Sequence, residues 1–304
     1  MHAASIMSPI AALALAPLLV GIVNRVKAWF AGRRGRPLLQ LYYDIAKLLR
    51  KGTVYSDTSS WVVRAGPVIG LAASLCALAL VPSGGVPALV SFAWDIVFVA
   101  YLLGIARFFT VAAALDTGSA FEGMGASREV QLSALAEPAL ILLLAAVSKS
   151  VGHNGDLSSV IGGIGPAAWL RHAPTLGLAV AGMLVVFLAE NSRVPFDDPN
   201  THLELTMIHE VMILDHGGPD LAFILYGASL KMWILASILV GIAVPIRTGN
   251  PWLDGGATVL AVFAVGLITG IVESSMARFR LARLPMLLLA ATVLAVLAFV
   301  LHGA

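Results

Sequence analysis

Four ionisable side chains, Asp95, Arg107, Glu137 and Lys231, fall inside long apolar runs of the sequence. An ionised group in lipid costs roughly 2.5 to 3.5 kcal/mol unless it pairs or meets water. Residues held there point to one of two things. Either they form pairs that hold helices together, such as Arg107 with Glu137 or Asp116, or they line a path for protons or other ions. A second group closes the fifth apolar run: Glu190, then Arg193, Pro195, Asp197, Asp198 and Pro199. The prolines remove backbone donors and fix φ, so the chain must turn there. Adjacent like charges disfavour joint ionisation, an arrangement suited to proton exchange. A solvated helix end is the alternative reading.

Other motifs fail on inspection. His202, Thr206, His209 and His216 share a face if 201–216 is helical, with Glu204 and Asp215 opposite. His209 and Glu210 begin a His-Glu-x-x-His pattern, but Ile213 stands where the second His is needed, so no metal site is expected. Interface contacts or proton-exchanging histidines are the better reading. Gly123 and Gly125 begin a dinucleotide fingerprint that Arg128 ends, and no strand precedes them. No phosphate-binding Gly-Lys-Ser sequence is present, so ATP-driven transport would need another chain. The single Cys76 excludes an internal disulfide and any cysteine-ligated zinc or iron–sulfur centre built from this chain alone.

The elements that must position these residues are membrane helices. Of 304 residues, 59% are hydrophobic and 12% charged, at a mean hydropathy of +0.91, too little polar surface for a soluble globule. Apolar runs near the ~20 residues a helix needs to cross lipid lie at 5–23, 65–81, 88–115, 130–147, 174–189, 221–246, 256–276 and 284–301. They are continuous rather than alternating, which excludes barrel strands. The expected fold is an all-α integral membrane protein, one polytopic domain over 1–304 with about eight transmembrane helices. A net charge of +2 gives no reason to expect nucleic acid as a partner.

Charge placement sets the expected orientation. Loops after spans one, three, five and seven hold eight, one, one and three Lys or Arg, whereas the opposite loops hold none, two and one. The amino terminus is therefore expected outside and the first run, whose basic residues come after it, is expected to be retained rather than cleaved. Asp116, Glu122, Glu129, Glu190, Asp197, Glu204, Glu210, Asp215 and Glu273 all collect on the same cytoplasmic side. Two amphipathic loop helices are expected there, at 38–51 and 201–214. The first comes after a basic loop with Arg33, Arg34 and Arg36, which suits either anionic lipid headgroups or a docked protein.

Four segments, at 36–51 (RPLLQLYYDIAKLLRK), 116–130 (DTGSAFEGMGASREV), 190–220 and 273–285 (ESSMARFRLARLP), resemble the family that includes complex I subunit 1 and its relatives in membrane-bound [NiFe] hydrogenases and formate hydrogenlyase. The run from Glu190 to Asp197 is similar to that family's Glu-x-x-Arg-x-Pro-Phe-Asp signature. The next stretch of chain, with His202, Glu204, His209, Glu210, Asp215 and His216, looks like the hydrogenase branch. The quinone-reducing branch tends to read Leu-Pro-Glu and a Glu-rich run before a tyrosine.

The resemblance implies a non-redox subunit of a bacterial or archaeal cytoplasmic membrane, with no cofactor of its own. On it a [NiFe] hydrogenase-like large subunit and an iron–sulfur small subunit dock, beside antiporter-like membrane subunits. It assigns ion coupling to Glu129, Glu137, Glu190 and Asp197, and partner docking to Arg34, Arg36, Arg193, Asp198, His202, Glu204, His209, Glu210 and Asp215. The competing expectation is the quinone-binding subunit of a NADH-oxidising complex. A free-standing transporter ranks last, since neither related halves nor broken midplane helices are evident.

Overall fold

A computed structural model of the chain describes residues 3–152, 156–197, 207–245 and 247–301. Ten α-helices succeed one another among them: α1 (Ala3–Phe30), α2 (Gln40–Leu48), α3 (Trp61–Leu80), α4 (Asp95–Asp116), α5 (Ala120–Val151), α6 (Leu157–Gly163), α7 (Pro166–Glu190), α8 (Gly218–Ala243), α9 (Pro251–Ser275) and α10 (Leu284–Leu301). Eight of them, all but α2 and α6, are long and apolar enough to cross a membrane. No strand occurs among the described residues. An all-α membrane bundle of eight spans is thus the architecture, because only helices satisfy every backbone group within one segment in lipid.

Local chemistry sets the ends. Ser60, Asp156 and Asn250 accept hydrogen bonds from Val62, Ser159 and Trp252 N–H, capping α3, α6 and α9. Prolines open α7, α8 and α9, where their missing donor costs nothing. At the end of α1, Gly32 takes φ +66° while its own N–H bonds Trp29 O and Arg33 N–H bonds Ala28 O at 2.8 Å. That left-handed cap folds the chain back. Inside α7, Pro174 removes a donor, and the helix absorbs the defect at His172, whose φ of −123° is not helical.

Span α8 is the hub, with 67% of its apolar window buried. It packs against α1, α3, α7 and α9, while α3 pairs with α4, α10 with α5 and α7, and α1 with α9. Without a hydrophobic drive between helices in lipid, close contact relies on small residues. Gly270 shows this: a Cβ there would stand 2.7 Å from Val26 Cβ and 3.1 Å from Val23 O.

The expected runs differ from the helices chiefly at their ends. The fourth span starts ten residues earlier than the apolar run, because polar Glu122, Arg128 and Glu129 ride on a helical turn packed within the bundle. The third starts later, so Asp95 is the first residue of α4, at the end of its span rather than in the middle. There it accepts Leu157 N–H at 2.7 Å. The amphipathic segment at 38–51 contains α2. Of the second, at 201–214, residues 201–206 lie outside the described residues, and the rest forms a 3₁₀ turn at Glu210–Ile213. The face expected for His202, Thr206, His209 and His216 as one α-helix is therefore not formed by the described part.

Candidate functional site

Four spans bring their charges to one place. Arg107, from the middle of α4, donates from Nη1 to Glu137 Oε1 of α5 at 2.6 Å and from Nη2 to Glu190 Oε2 at the end of α7. Its Nε stands 3.2 Å from Glu129 Oε1, one helical stretch earlier on α5, in an ion pair without hydrogen-bond alignment. Lys231 of α8 reaches the same Glu190 oxygen at 3.0 Å. Gly104 on α4 leaves the space beside Glu137, whose Oε1 would be 3.4 Å from a Cβ there.

The electrostatics derive from position. Glu190 ends a helix, where the dipole already carries partial negative charge, and its side chain is 2% exposed. A carboxylate so placed requires cations, and it has two. Across the cluster, three carboxylates face two cations. An arginine keeps its proton under all ordinary conditions. With all three acids ionised the group holds one negative charge in excess, and a single bound H⁺ or Na⁺ would neutralise it.

Two further knots lie at the ends of the spans. Glu273 of α9, fully buried, takes Lys27 of α1 at 2.8 Å and faces Arg193 at 3.5 Å, while Arg193 also approaches Met232 Sδ at 3.6 Å. Arg193 is thus turned into the bundle, where it also lines the cavity described below. Asp197 accepts Ile208 and His209 N–H at 3.0 and 3.1 Å and pairs with Arg278 at 3.0 Å. Asp198, read beside it in the sequence, lies outside the described residues. Tyr55 donates to Asp220 at 2.6 Å, and its hydroxyl is pushed up by that bond. Asp215 N–H donates to Glu122 at 2.9 Å, and Ser60 donates to Asp116.

Between these knots lies a cavity of about 360 Å³. Arg36, Gln40 and Asp44 line it at the α2 end, His209 and Glu210 at the 3₁₀ turn, and Arg107, Glu129, Glu190 and Lys231 within the bundle. Glu137 does not line it. That residue stands on the other side of Arg107, its side chain 39% exposed on the flank of the bundle.

The residues singled out from the sequence therefore separate. Glu129, Glu137 and Glu190 meet at Arg107, with Asp197 in the neighbouring knot. Arg36, His209 and Glu210 border the cavity, Arg34 and Asp215 are exposed, and Asp198, His202 and Glu204 lie outside the described residues. Lys231 stood out as an intramembrane charge but not as a member of the site. The Lys27–Glu273 and Tyr55–Asp220 contacts, the latter 165 residues apart, had no sequence signal beyond charge. Among the described residues no three His, Cys, Asp or Glu side chains come together in a way that could hold a metal ion.

Comparison with known proteins adds to this geometry. The sequence model of the family described as NADH dehydrogenase matches residues 3–303. The chain belongs to that family, which is the family of complex I subunit 1. Within it, the chain is 34% identical over 294 residues to formate hydrogenlyase subunit 4 of Escherichia coli (strain K12), covering 94% of each. It is 29% identical over 276 residues to hydrogenase-4 component C of the same strain, covering 88% of this chain and 85% of the relative. Its fold is that of a chain in the membrane-bound sulfane sulfur reductase, an archaeal respiratory membrane complex. The match has a TM-score of 0.82, with 98% of both chains covered at 20% identity. This NADH dehydrogenase family member is a multi-pass membrane subunit of the respiratory-complex type.

Proposed function

We propose that the chain is the non-redox membrane subunit of a formate hydrogenlyase-type or membrane-bound [NiFe] hydrogenase complex. It forms one polytopic domain in a bacterial or archaeal cytoplasmic membrane, with its amino terminus outside. It anchors a [NiFe] hydrogenase-like large subunit and an iron–sulfur small subunit on the cytoplasmic side, lies beside antiporter-like subunits, and couples their redox chemistry to proton or sodium movement. The observation that carries this reading is the excess of one carboxylate in the Arg107 cluster, set between the cavity and the flank of the bundle.

A charge appearing at the cavity mouth changes which carboxylate of the cluster holds an ion, since like and unlike charges in a low-dielectric interior act strongly over a few ångströms. Glu129 and Glu190 face the cavity and Glu137 faces the flank, so moving the ion across Arg107 carries it sideways towards a neighbouring subunit. Arg36, His209 and Glu210 at the mouth, with exposed Asp215 on the chain after the 3₁₀ turn, suit docking of the arm, and Asp197 ties the mouth to Arg278 just beyond α9. Affinity purification of the tagged chain in mild detergent, with identification of co-purifying chains and hydrogen-linked dye reduction, tests the assembly. The Glu137→Gln complex then tests coupling: redox turnover persists and ion movement falls at least tenfold. Unchanged ion movement removes Glu137 from the path, and recovery of NADH-oxidising chains overturns the hydrogenase assignment.

The cavity itself favours one second reading. Leu71, Leu103, Met212 and Phe223 give it apolar walls, and Lys231 and Arg107 supply donors at its inner part. A quinone head group fits that chemistry, and quinone-dependent turnover of the purified complex distinguishes the two readings.

A further inference from the structure

The basic loop after α1 is divided by the structure. Arg36 lines the large cavity, whereas Arg33 and Arg34 turn the other way and border a separate recess of about 290 Å³ with Arg25, Val26 and Trp29. Gly32 and Gly35, both at φ +66°, fold the loop back on the helix, and a Cβ at Gly35 would strike Ala28 Cβ at 2.4 Å. Arg25 Nη1 holds that fold by donating to Arg34 O at 2.6 Å. Among the described residues no carboxylate pairs with Arg25, Arg33 or Arg34. Arg107, Arg193 and Arg278, by contrast, each lie against an acid.

We propose that this recess binds the phosphate of an anionic membrane phospholipid, its acyl chains lying along α1. Three guanidinium groups supply forked donors matched to phosphate oxygens. Trp29 is 79% exposed and stacks edge-on with exposed Phe30, the aromatic pairing expected at headgroup level. Arg25 and Trp29 are four residues apart, so they share a face that continues through half-buried Ile22 and Leu18 into the lipid-facing part of a helix whose window is only 28% buried. An acidic segment of a partner protein would meet the same cations but would have no use for that apolar continuation. Basic recesses on the side where positive residues collect are where anionic headgroups concentrate.

Native mass spectrometry of the full chain, titrated with phosphatidylglycerol in detergent, tests this. R33Q/R34Q weakens retention of phosphatidylglycerol on the order of 30-fold, leaves phosphatidylcholine unchanged, and R33K/R34K restores binding to within about threefold. Inorganic phosphate at the same concentration does not compete; if it displaces the lipid, the site belongs to free phosphate and the lipid assignment falls. If R33Q/R34Q keeps the lipid, or keeps it while shedding a co-purifying chain, the recess is not a lipid site. A measurement independent of those variants uses brominated phosphatidylglycerol in nanodiscs: quenching of tryptophan fluorescence drops in W29F, and equal quenching in W29F and the parent overturns the proposal.

Discussion

Arg107 and Glu190, 83 residues apart in the chain, form one buried ion pair that joins the middle of α4 to the last residue of α7. Their pairing is shared with Glu129, Glu137 and Lys231, so removing either partner affects a network rather than a contact.

Truncating Arg107 to methionine leaves three carboxylates with one cation in the bundle. Breaking a buried pair from one side costs about 3 to 5 kcal/mol. Detergent unfolding of the purified chain should show a loss of that size for R107M, and a smaller loss for E137Q, whose side chain is part-exposed. Equal losses would mean that the cluster is held by Glu137 and not by Glu190.

Lys27 and Glu273 join α1 to α9 at 2.8 Å with the carboxylate fully buried. A double-mutant cycle of K27M and E273Q should give a coupling energy of about 1 kcal/mol or more. Additive effects would show that each side chain finds another partner on its own.

Gly270 lets α9 approach α1 so closely that a Cβ there would stand 2.7 Å from Val26 Cβ. G270L forces a side chain against Val26 and the Val23 carbonyl and should destabilise by about 1 to 3 kcal/mol. G256L, at a position with open space, should change stability by less than about 0.5 kcal/mol. Similar effects of the two would contradict the α1–α9 packing.

His216 lies buried between Asp215, whose N–H donates to Glu122 of α5, and the start of α8. Burial pushes its imidazole down, against the opposing pull of Asp220 and Asp215. The unfolded chain then binds the proton more readily than the folded one. Stability contributed by neutral His216 is full above about pH 6.5, the ordinary value, and declines as pH falls through it towards the lowered folded value. Melting profiles across pH 5 to 8 should slope upward with pH over about that window, and H216Q should flatten the slope.

The sequence made the spans legible because continuous apolar runs of helical length admit no other structure in lipid, and prolines with Ser60, Asp156 and Asn250 marked several ends. It also exposed Arg107, Glu137 and Lys231, since charge inside such a run stands out against its surroundings. It misjudged the start of α5, where Glu129 and Glu122 broke the apolar run although the helix continues. It gave no sign that Asp197 would pair with Arg278, 81 positions away.

By itself, then, the sequence determined the membrane class, the eight spans and the family, through hydropathy and local motifs that need no partner elsewhere in the chain. The tertiary structure decided the rest. Which acid meets Arg107, why Arg193 faces Glu273, and how the basic loop splits between a cavity and a separate recess depend on helix contacts between distant segments, and pairing energies at a few ångströms leave no trace in sequence spacing.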